Sequence, residues 1–276
     1  MLWHKRENAL QDWLADTSSG LAGRVALITG STGGVGFQVA GMLAARGATV
    51  VINGRGQERG AAALKALQGL SGRVHLVSGD CIEPHEAARV VQQAAGLEGR
   101  LDILVSAGAE GRVAPKPFAE MSAEEIVTAY QTRFLPRILP VHAAVPFLRE
   151  QGGSVVMLTT DAARHPTPGE SIVGAVGAGV ILMTKALAKE FSRWRIRVNS
   201  VAMTLTSDTP SWDRIFGGDA AFQQQLFTKL NDRFPGGRAP TAQEVAHVVA
   251  FLASDAAAQV TGQTVSVNGG LSFGGW

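Results

Sequence analysis

Short apolar runs alternate with amphipathic stretches along most of the chain. Val25–Thr29, Val50–Asn53, Val74–Ser78, Ile103–Ser106, Val155–Thr159, Ile196–Val201 and Thr264–Val267 are rich in β-branched residues and predict strands. Between them apolar positions recur at helical spacing, as in Val35–Arg46, where Val35, Val39, Met42 and Leu43 share one face. This alternation predicts a doubly wound α/β fold, a seven-stranded parallel sheet with helical crossovers, in a single domain over residues 21–276. Residues 1–20 read as an N-terminal extension in which Trp3, Leu10, Trp13 and Leu14 share a helical face, a surface-packing arm ended by Ser18-Ser19-Gly20. Pro235-Gly236-Gly237 and residues 204–219 read as mobile loops.

With 276 residues, 46% of them apolar and 17% charged, the chain can bury a large core. The net charge is +2 and no dense Lys/Arg block occurs, so composition gives no support to a nucleic-acid or membrane-surface partner. The one cysteine, Cys81, excludes an internal disulfide framework, and no Cys/His cluster has zinc-ligand spacing. The opening segment carries Lys5, Arg6, Glu7 and Asp12 and reads as neither signal peptide nor membrane span. A soluble, cytoplasmic protein is the expectation.

The first predicted strand runs directly into Thr29-Gly30-Ser31-Thr32-Gly33-Gly34-Val35-Gly36, which opens the first predicted helix. Glycines in that context permit a tight turn and close backbone approach, and the free N–H groups of the helix start attract a pyrophosphate. A dinucleotide is therefore the expected ligand, with Thr29, Gly30, Ser31, Thr32, Gly34, Val35 and Gly36 forming the loop.

Here the chain resembles the short-chain dehydrogenase/reductase family, whose Thr-Gly-x-x-x-Gly-x-Gly pattern falls on Thr29, Gly30, Gly34 and Gly36. Gly79-Asp80, Ala107-Gly108, Ile196-Arg197-Val198-Asn199, Thr261-Gly262-Gln263 and Asn268-Gly269-Gly270 extend the resemblance across residues 21–276. The resemblance implies a Rossmann fold, adenine held by Asp80 and the Cys81 backbone, and Ala107 and Gly108 close to the adenosine ribose. At the end of the second strand an acidic residue would bind a ribose 2′-hydroxyl and repel a 2′-phosphate; Gly54 stands there, followed by Arg55, which favours NADP while leaving NAD possible.

The family's proton-transfer residues are missing from their places. Aligned through Thr184-Lys185-Ala186-Leu187-Ala188, the Tyr position is Val173 and the Lys position Gly177. The Ser position falls on Thr160 and the Asn position near Arg133. The only tyrosine, Tyr130, precedes the fifth strand, so no local shift restores the pair. The usual Asn pair before Ala107 is Val105-Ser106, and the usual Pro-Gly after the sixth strand is Met203-Thr204. Losing the Lys removes a charged hydrogen bond of about 1.5–3 kcal/mol from the nicotinamide ribose. Val173 and Gly177 also leave a wider, drier site suited to a bulky apolar ligand.

Two functions follow from this mixture. One is a non-catalytic or partner subunit, in a homo-oligomer or a hetero-oligomer with an active relative. The other is an atypical NADP-dependent oxidoreductase on a bulky apolar carbonyl or enoyl substrate, in which Arg133 lowers the pKa of the Tyr130 phenol and Thr160 holds the carbonyl, or in which water or substrate supplies the proton. Asp161, Arg164 and His165 are read as solvated side chains. Pro136 and Pro140 predict a bend or break in their helix. Residues 171–184, SIVGAVGAGVILMT, span about 21 Å of helix without a charge. A helix apolar all round must be covered all round, which predicts an oligomer, with Gly174 and Gly179 allowing close approach of a second chain.

Overall fold

The computed structural model describes residues 20–109, 111–217 and 227–273. The predicted arm around Trp3 and Trp13 lies outside these residues. Strands β1 (Val25–Thr29), β2 (Thr49–Gly54), β3 (Val74–Ser78), β4 (Ile103–Ser106), β5 (Gly153–Thr160), β6 (Ile196–Met203) and β7 (Thr264–Val267) form one sheet in the order β3-β2-β1-β4-β5-β6-β7. Every pairing is parallel. The order reverses between β1 and β4, where Leu27 lies between Val51 and Leu104. In such sheets the ligand crevice lies beyond the carboxyl ends of the strands at this switch point.

Helices cover both faces, so the central strands are apolar on both sides. On one face α1 (Gly34–Ala45) and a late helix, Ala242–Ala253, bury Val35, Val39, Leu43, Val245 and Val249 against Ile28, Ile52 and Val156. On the other, α3 (Pro84–Gly96), α4 (Ala123–Gln151) and α5 (Ser171–Phe191) bury Val90, Val141, Leu148 and Val180 against Leu27, Leu104 and Met157. The short α2 (Gln57–Ala66) packs on β2 and β3 through Gly60 and Ala63. After β6 comes α6 (Pro210–Phe216), and the late helix Ala242–Ala253 is α7.

Three expectations need correction. First, the break expected in α4 does not occur: the helix is continuous over 29 residues although Pro136, Pro140 and Pro146 lie inside it. Pro136 and Pro140 share its buried face with Val141, Ala144 and Leu148, and a capping box of Ser122 and Glu125 anchors its start. Packing along that face outweighs the donors lost at Pro136 and Pro140. Second, the segment after β6 is not simply a mobile loop. Thr206 and Thr209 are buried, Thr209 caps α6 by accepting from Trp212 N at 3.1 Å, and Ser207 bridges to Thr241.

Third, the glycines of α5 face this chain rather than another. A methyl group on Gly174 would lie 2.7 Å from the Ala162 carbonyl oxygen, and one on Gly179 would lie 3.3 Å from Phe134 Cε2. Together with its continuation to Trp194, α5 is long and apolar enough to cross a membrane by composition, yet Val176, Val180, Ile181, Ala188 and Phe191 are buried against the domain. That makes it a core helix with one exposed stripe, where Leu182 is 69% accessible.

Candidate functional site

The loops at the carboxyl ends of β1 and β4 touch through glycines. Gly30 takes a φ of 64°, and a methyl group there would lie 2.7 Å from Gly108 Cα. One on Gly36 would lie 2.6 Å from the Gly30 carbonyl oxygen, so α1 can start beside the strand only because both residues lack side chains. Thr29 and Ser31 turn inward. Thr29 Oγ1 accepts from Gly108 N at 3.4 Å, and Ser31 Oγ donates to Ile28 O at 2.6 Å and accepts from Asn53 N at 2.9 Å. Val35 and Gly36 are buried as well. The side chains of Thr29, Ser31 and Val35 thus shape the loop, which leaves its backbone groups and the half-buried Thr32 side chain for a ligand.

That backbone suits an anion. The first N–H groups of a helix have no intrahelical acceptor. The α4 and α7 helices satisfy theirs with capping boxes, whereas α1 has Gly33 at its N-cap, no side-chain cap and no acidic residue in its first turn. Helices α2, α3 and α5 also start without a side-chain cap, so what sets α1 apart is its place at the switch point, where its positive end is open to an anion. Thr209 and Pro210 close over the turn: a methyl on Gly33 would lie 3.3 Å from Pro210 Cγ, and one on Gly34, at φ 56°, 3.4 Å from Pro210 Cδ.

Next to this loop, Gly54 ends β2 beneath Thr32. A methyl at Gly54 would meet Thr32 Cγ2 at 2.5 Å, so the Thr32 side chain fills the volume an acidic residue at position 54 would need. Arg55 is exposed and 3.8 Å from Asp80 Oδ2, which Arg112 approaches at the same distance from the other side. Arg112 is a second cation that sequence reading missed. It lies in the loop after β4, and nothing local marks it as a neighbour of residues 55 and 80. Asp80 also accepts from Ile82 N at 3.2 Å, which shapes the turn. Cys81 is buried beside Asn53, and burial, then the Asp80 and Glu86 charges, push its thiol up to about 12. As a thiol it is inert, leaving only its backbone to contact a ligand.

The proton-transfer corner is filled differently. On Gly177 a methyl group would lie 2.6 Å from Thr160 Cγ2, 2.9 Å from Ala163 Cβ and 3.1 Å from Thr159 Oγ1. The helix has settled onto the end of β5, and Thr159 Oγ1 donates to the Gly177 carbonyl at 3.1 Å. The widening expected at position 177 is therefore absent. Thr160 Oγ1 accepts from Ala162 N at 3.2 Å and caps the turn that follows.

Tyr130 is 44% accessible and lies on Phe134, with ring centroids 5.3 Å apart. No hydrogen bond joins it to Arg133, whose Nη2 donates instead to the Val113 carbonyl at 2.9 Å. The expected phenol–guanidinium pair is not assembled, because residues three apart on this helix diverge once Arg133 turns toward the β4 loop. Arg137, one turn on, was also missed. Its Nε donates to the Leu158 carbonyl at 2.9 Å and its Nη1 to the Arg133 carbonyl. Burial, then the Arg133 charge, push its guanidinium down to about 10.

Asp161 and Arg164 are not solvated. Asp161 is 4% accessible and accepts from Asn268 Nδ2 at 3.1 Å, from Ser266 Oγ at 3.5 Å and from Ser272 Oγ. Arg164 donates to Ser266 Oγ at 2.7 Å and to the Thr264 carbonyl at 2.8 Å. His165 Nε2 is buried and has no hydrogen-bond partner. The carboxyl end of β5 is thereby laced to β7 and the residues after it.

A family model described as enoyl-(acyl carrier protein) reductase matches residues 30–272. The 3-oxoacyl-(acyl-carrier-protein) reductase FabG of Thermotoga maritima is 31% identical over 91% of this chain and 98% of its own. Dehydrogenase/reductase SDR family member 4 of Homo sapiens is 33% identical over 91% and 88%. The solved structure of a short-chain type dehydrogenase/reductase from Mycobacterium ulcerans superposes with a TM-score of 0.83 at 27% identity, covering 91% of this chain and 90% of that one. With the parallel sheet, the glycine-linked switch point and a match over most of its length, the chain belongs to the short-chain dehydrogenase/reductase family.

Proposed function

We propose that this oxidoreductase-family chain binds NADP(H) but has lost carbonyl reduction by the Tyr/Lys route, and that it works as a non-catalytic or partner subunit. The observation that carries the reading is the filled volume at Gly177, where a first side-chain carbon already meets Thr160 Cγ2 at 2.6 Å. With Val173 one turn before it, neither of these two residues can donate a proton or hold a ribose hydroxyl. The uncapped start of α1 and the glycine contacts support a dinucleotide laid across the switch point, with Gly30, Gly34, Gly36, Ala107 and Gly108 lining it. When bound, the dinucleotide would supply or accept hydride. Thr32 above Gly54, with Arg55 and Arg112 beside it, supports a 2′-phosphate over a free 2′-hydroxyl.

A second reading, an atypical NADP-dependent oxidoreductase, draws on relatives named as reductases and on the Thr160 hydroxyl at the end of β5. Placement of Tyr130 against Phe134 disfavours the phenol as its acid. The partner surface we assign is the exposed stripe of α4 and α5: Val127, Tyr130 and Leu182 are 54%, 44% and 69% accessible, and Phe134 links the two helices through Gly179. A lone buried thiol suits a reducing compartment, and we place the chain in the cytoplasm.

The test is a calorimetric titration with NADPH, followed by NADPH-oxidation assays on a simple ketone, a 3-oxoacyl thioester and an enoyl thioester. Tight NADPH binding without ketone or thioester turnover is the expected result. Turnover of any of these substrates would establish the second reading, with Tyr130→Phe deciding whether the phenol supplies the proton, and failure to bind either dinucleotide would overturn both.

A further inference from the structure

Arg133 stands near the family's Asn position, yet its side chain reaches the loop that follows β4. Its Nη2 donates to the Val113 carbonyl at 2.9 Å, and a methyl group on Gly111 would lie 3.3 Å from the same nitrogen. Further along this loop, Lys116 Nζ is 2.7 Å from the carboxylate of Glu125, which is also the capping-box residue of α4. The α4 helix therefore holds the loop at two points. Arg112 directly precedes the first of them. Its Nη2 lies 3.8 Å from Asp80 Oδ2, and Arg55 Nη1 lies 3.8 Å from that same oxygen. Arg55 and Asp80 follow the ends of β2 and β3 almost at once, so the sheet places them; Arg112 comes later in its loop, and its place depends on the loop's course.

The Arg133 contact is a poor source of stability. It spends a cation on a neutral carbonyl, the Nε–H is buried without a hydrogen-bond partner, and among the described residues no ion pair joins it to Glu170, whose charge it feels from the N-cap of α5. Desolvation of the guanidinium offsets much of what the bond returns. What the bond secures is position. A phosphate monoester carries more than one negative charge and several acceptor oxygens, and two guanidinium groups that share one carboxylate oxygen stand close enough for a single phosphate to bridge them. We propose that Arg133 is a positioning residue for the dinucleotide: by holding the loop at Val113 it keeps Arg112 opposite Arg55, and the two guanidinium groups together receive the 2′-phosphate. Asp80 offsets the repulsion between the two cations and gives way to the stronger anion. The proposal rests on the NADP(H) binding of the proposed function, and it makes the choice of cofactor depend on a residue of α4 that acts only through the loop.

The test is calorimetric titration of the full chain with NADPH and with NADH, in the wild type, Arg112→Gln, Arg133→Met, Arg133→Lys and the double variant Arg112→Gln/Arg133→Met. The wild type should prefer NADPH. Arg112→Gln should lower that preference about tenfold, as loss of a charge-assisted hydrogen bond implies. Arg133→Met should lower it several-fold, whereas Arg133→Lys, whose ammonium can still donate to the carbonyl, should retain most of it. The double variant should be no worse than Arg112→Gln, because Arg133 acts through Arg112. A merely structural role for Arg133 would weaken both dinucleotides alike, and an unmoved ratio in Arg133→Met overturns the proposal. Losses that multiply in the double variant overturn it too. If circular dichroism shows that Arg133→Met does not fold, Gly111→Val replaces it: its first side-chain carbon starts 3.3 Å from Arg133 Nη2 and crowds the loop off the guanidinium, so an unmoved ratio there has the same force. A wild-type chain that binds neither dinucleotide, or both equally, sinks the cofactor reading and this one with it. A preference for NADPH that survives these substitutions sinks this one alone.

Discussion

Replacing Gly177 by Ala asks whether α5 is seated on β5 as tightly as the distances indicate. The new methyl carbon would start 2.6 Å from Thr160 Cγ2 and 2.9 Å from Ala163 Cβ. Carbon atoms rest at about 3.5–4.0 Å, so the helix or the strand end must give by about 1 Å. Overpacking of this kind costs about 1–3 kcal/mol, and the better helix propensity of Ala returns about 1 kcal/mol. The net expectation is a loss of about 1 kcal/mol, read as a fall in the urea midpoint of about 0.3 M for a slope near 3 kcal/mol/M. Thr160→Ser removes Cγ2 but keeps the hydroxyl that caps Ala162 N. In the double variant the cost of Gly177→Ala should shrink, and the coupling energy should be about 0.5 kcal/mol. Ala163 Cβ remains close, so the rescue is partial. If Gly177→Ala alone stabilises the protein by the full propensity gain, the packing argument is wrong and the Lys position is open. If the argument holds, Val173→Tyr with Gly177→Lys does not restore ketone reduction until Thr160→Ser is added.

NADPH should bind more tightly than NADH, and Arg55→Asp should abolish or reverse the preference by placing a second carboxylate beside Asp80; equal calorimetric affinities for the wild-type chain would refute this. Cys81 should resist iodoacetamide at pH 8 in the folded protein and react once the chain is unfolded in urea, as mass spectrometry would show. Because its folded pKa is raised from 9.0 to about 12, the folded state holds the thiol proton longer. Its contribution to stability is then complete below about pH 9 and disappears as pH rises toward 12, a decline that Cys81→Ala should lessen in melts across that range. Leu182→Glu should shift the protein to a smaller species in light scattering, with its circular dichroism unchanged; a wild-type monomer at micromolar concentration would remove the assigned partner surface.

The sheet was almost wholly readable from the chain. The bounds of β1, β3, β4 and β7 coincide with their apolar runs, while β5 and β6 run on through Gly153, Ser154, Ala202 and Met203 because β5 pairs with β6 along all of them. The glycine loop was legible because its spacing is dictated locally by a turn and a helix start. What escaped was contact between distant segments. A glycine in a helix announces that something comes close, but not what, and so Gly174 and Gly179 were assigned to a second chain when Ala162 and Phe134 are their neighbours. Thr32 over Gly54, Arg112 beside Asp80 and Glu170 near Arg133 have no local signature either. The prolines of α4 misled for a related reason, since the packing that overrides their lost donors comes from the sheet below.

The lacing of Asp161 to β7 and the residues after it sets a constraint on how the molecule can be made. Its partners Ser266, Asn268 and Ser272 follow it by 105, 107 and 111 residues. A ribosome delivers β5 and α5 well before those donors exist, and domains tend to fold as they emerge. Until they arrive, burying Asp161 would leave a carboxylate without its hydrogen bonds, a penalty of several kcal/mol. The β5 corner therefore has to wait, open and hydrated, until β7 and the residues after it have been delivered, so this end of the sheet locks late. A chain cut before residue 264 would lose more than an edge strand: it would keep an acid that cannot go inside.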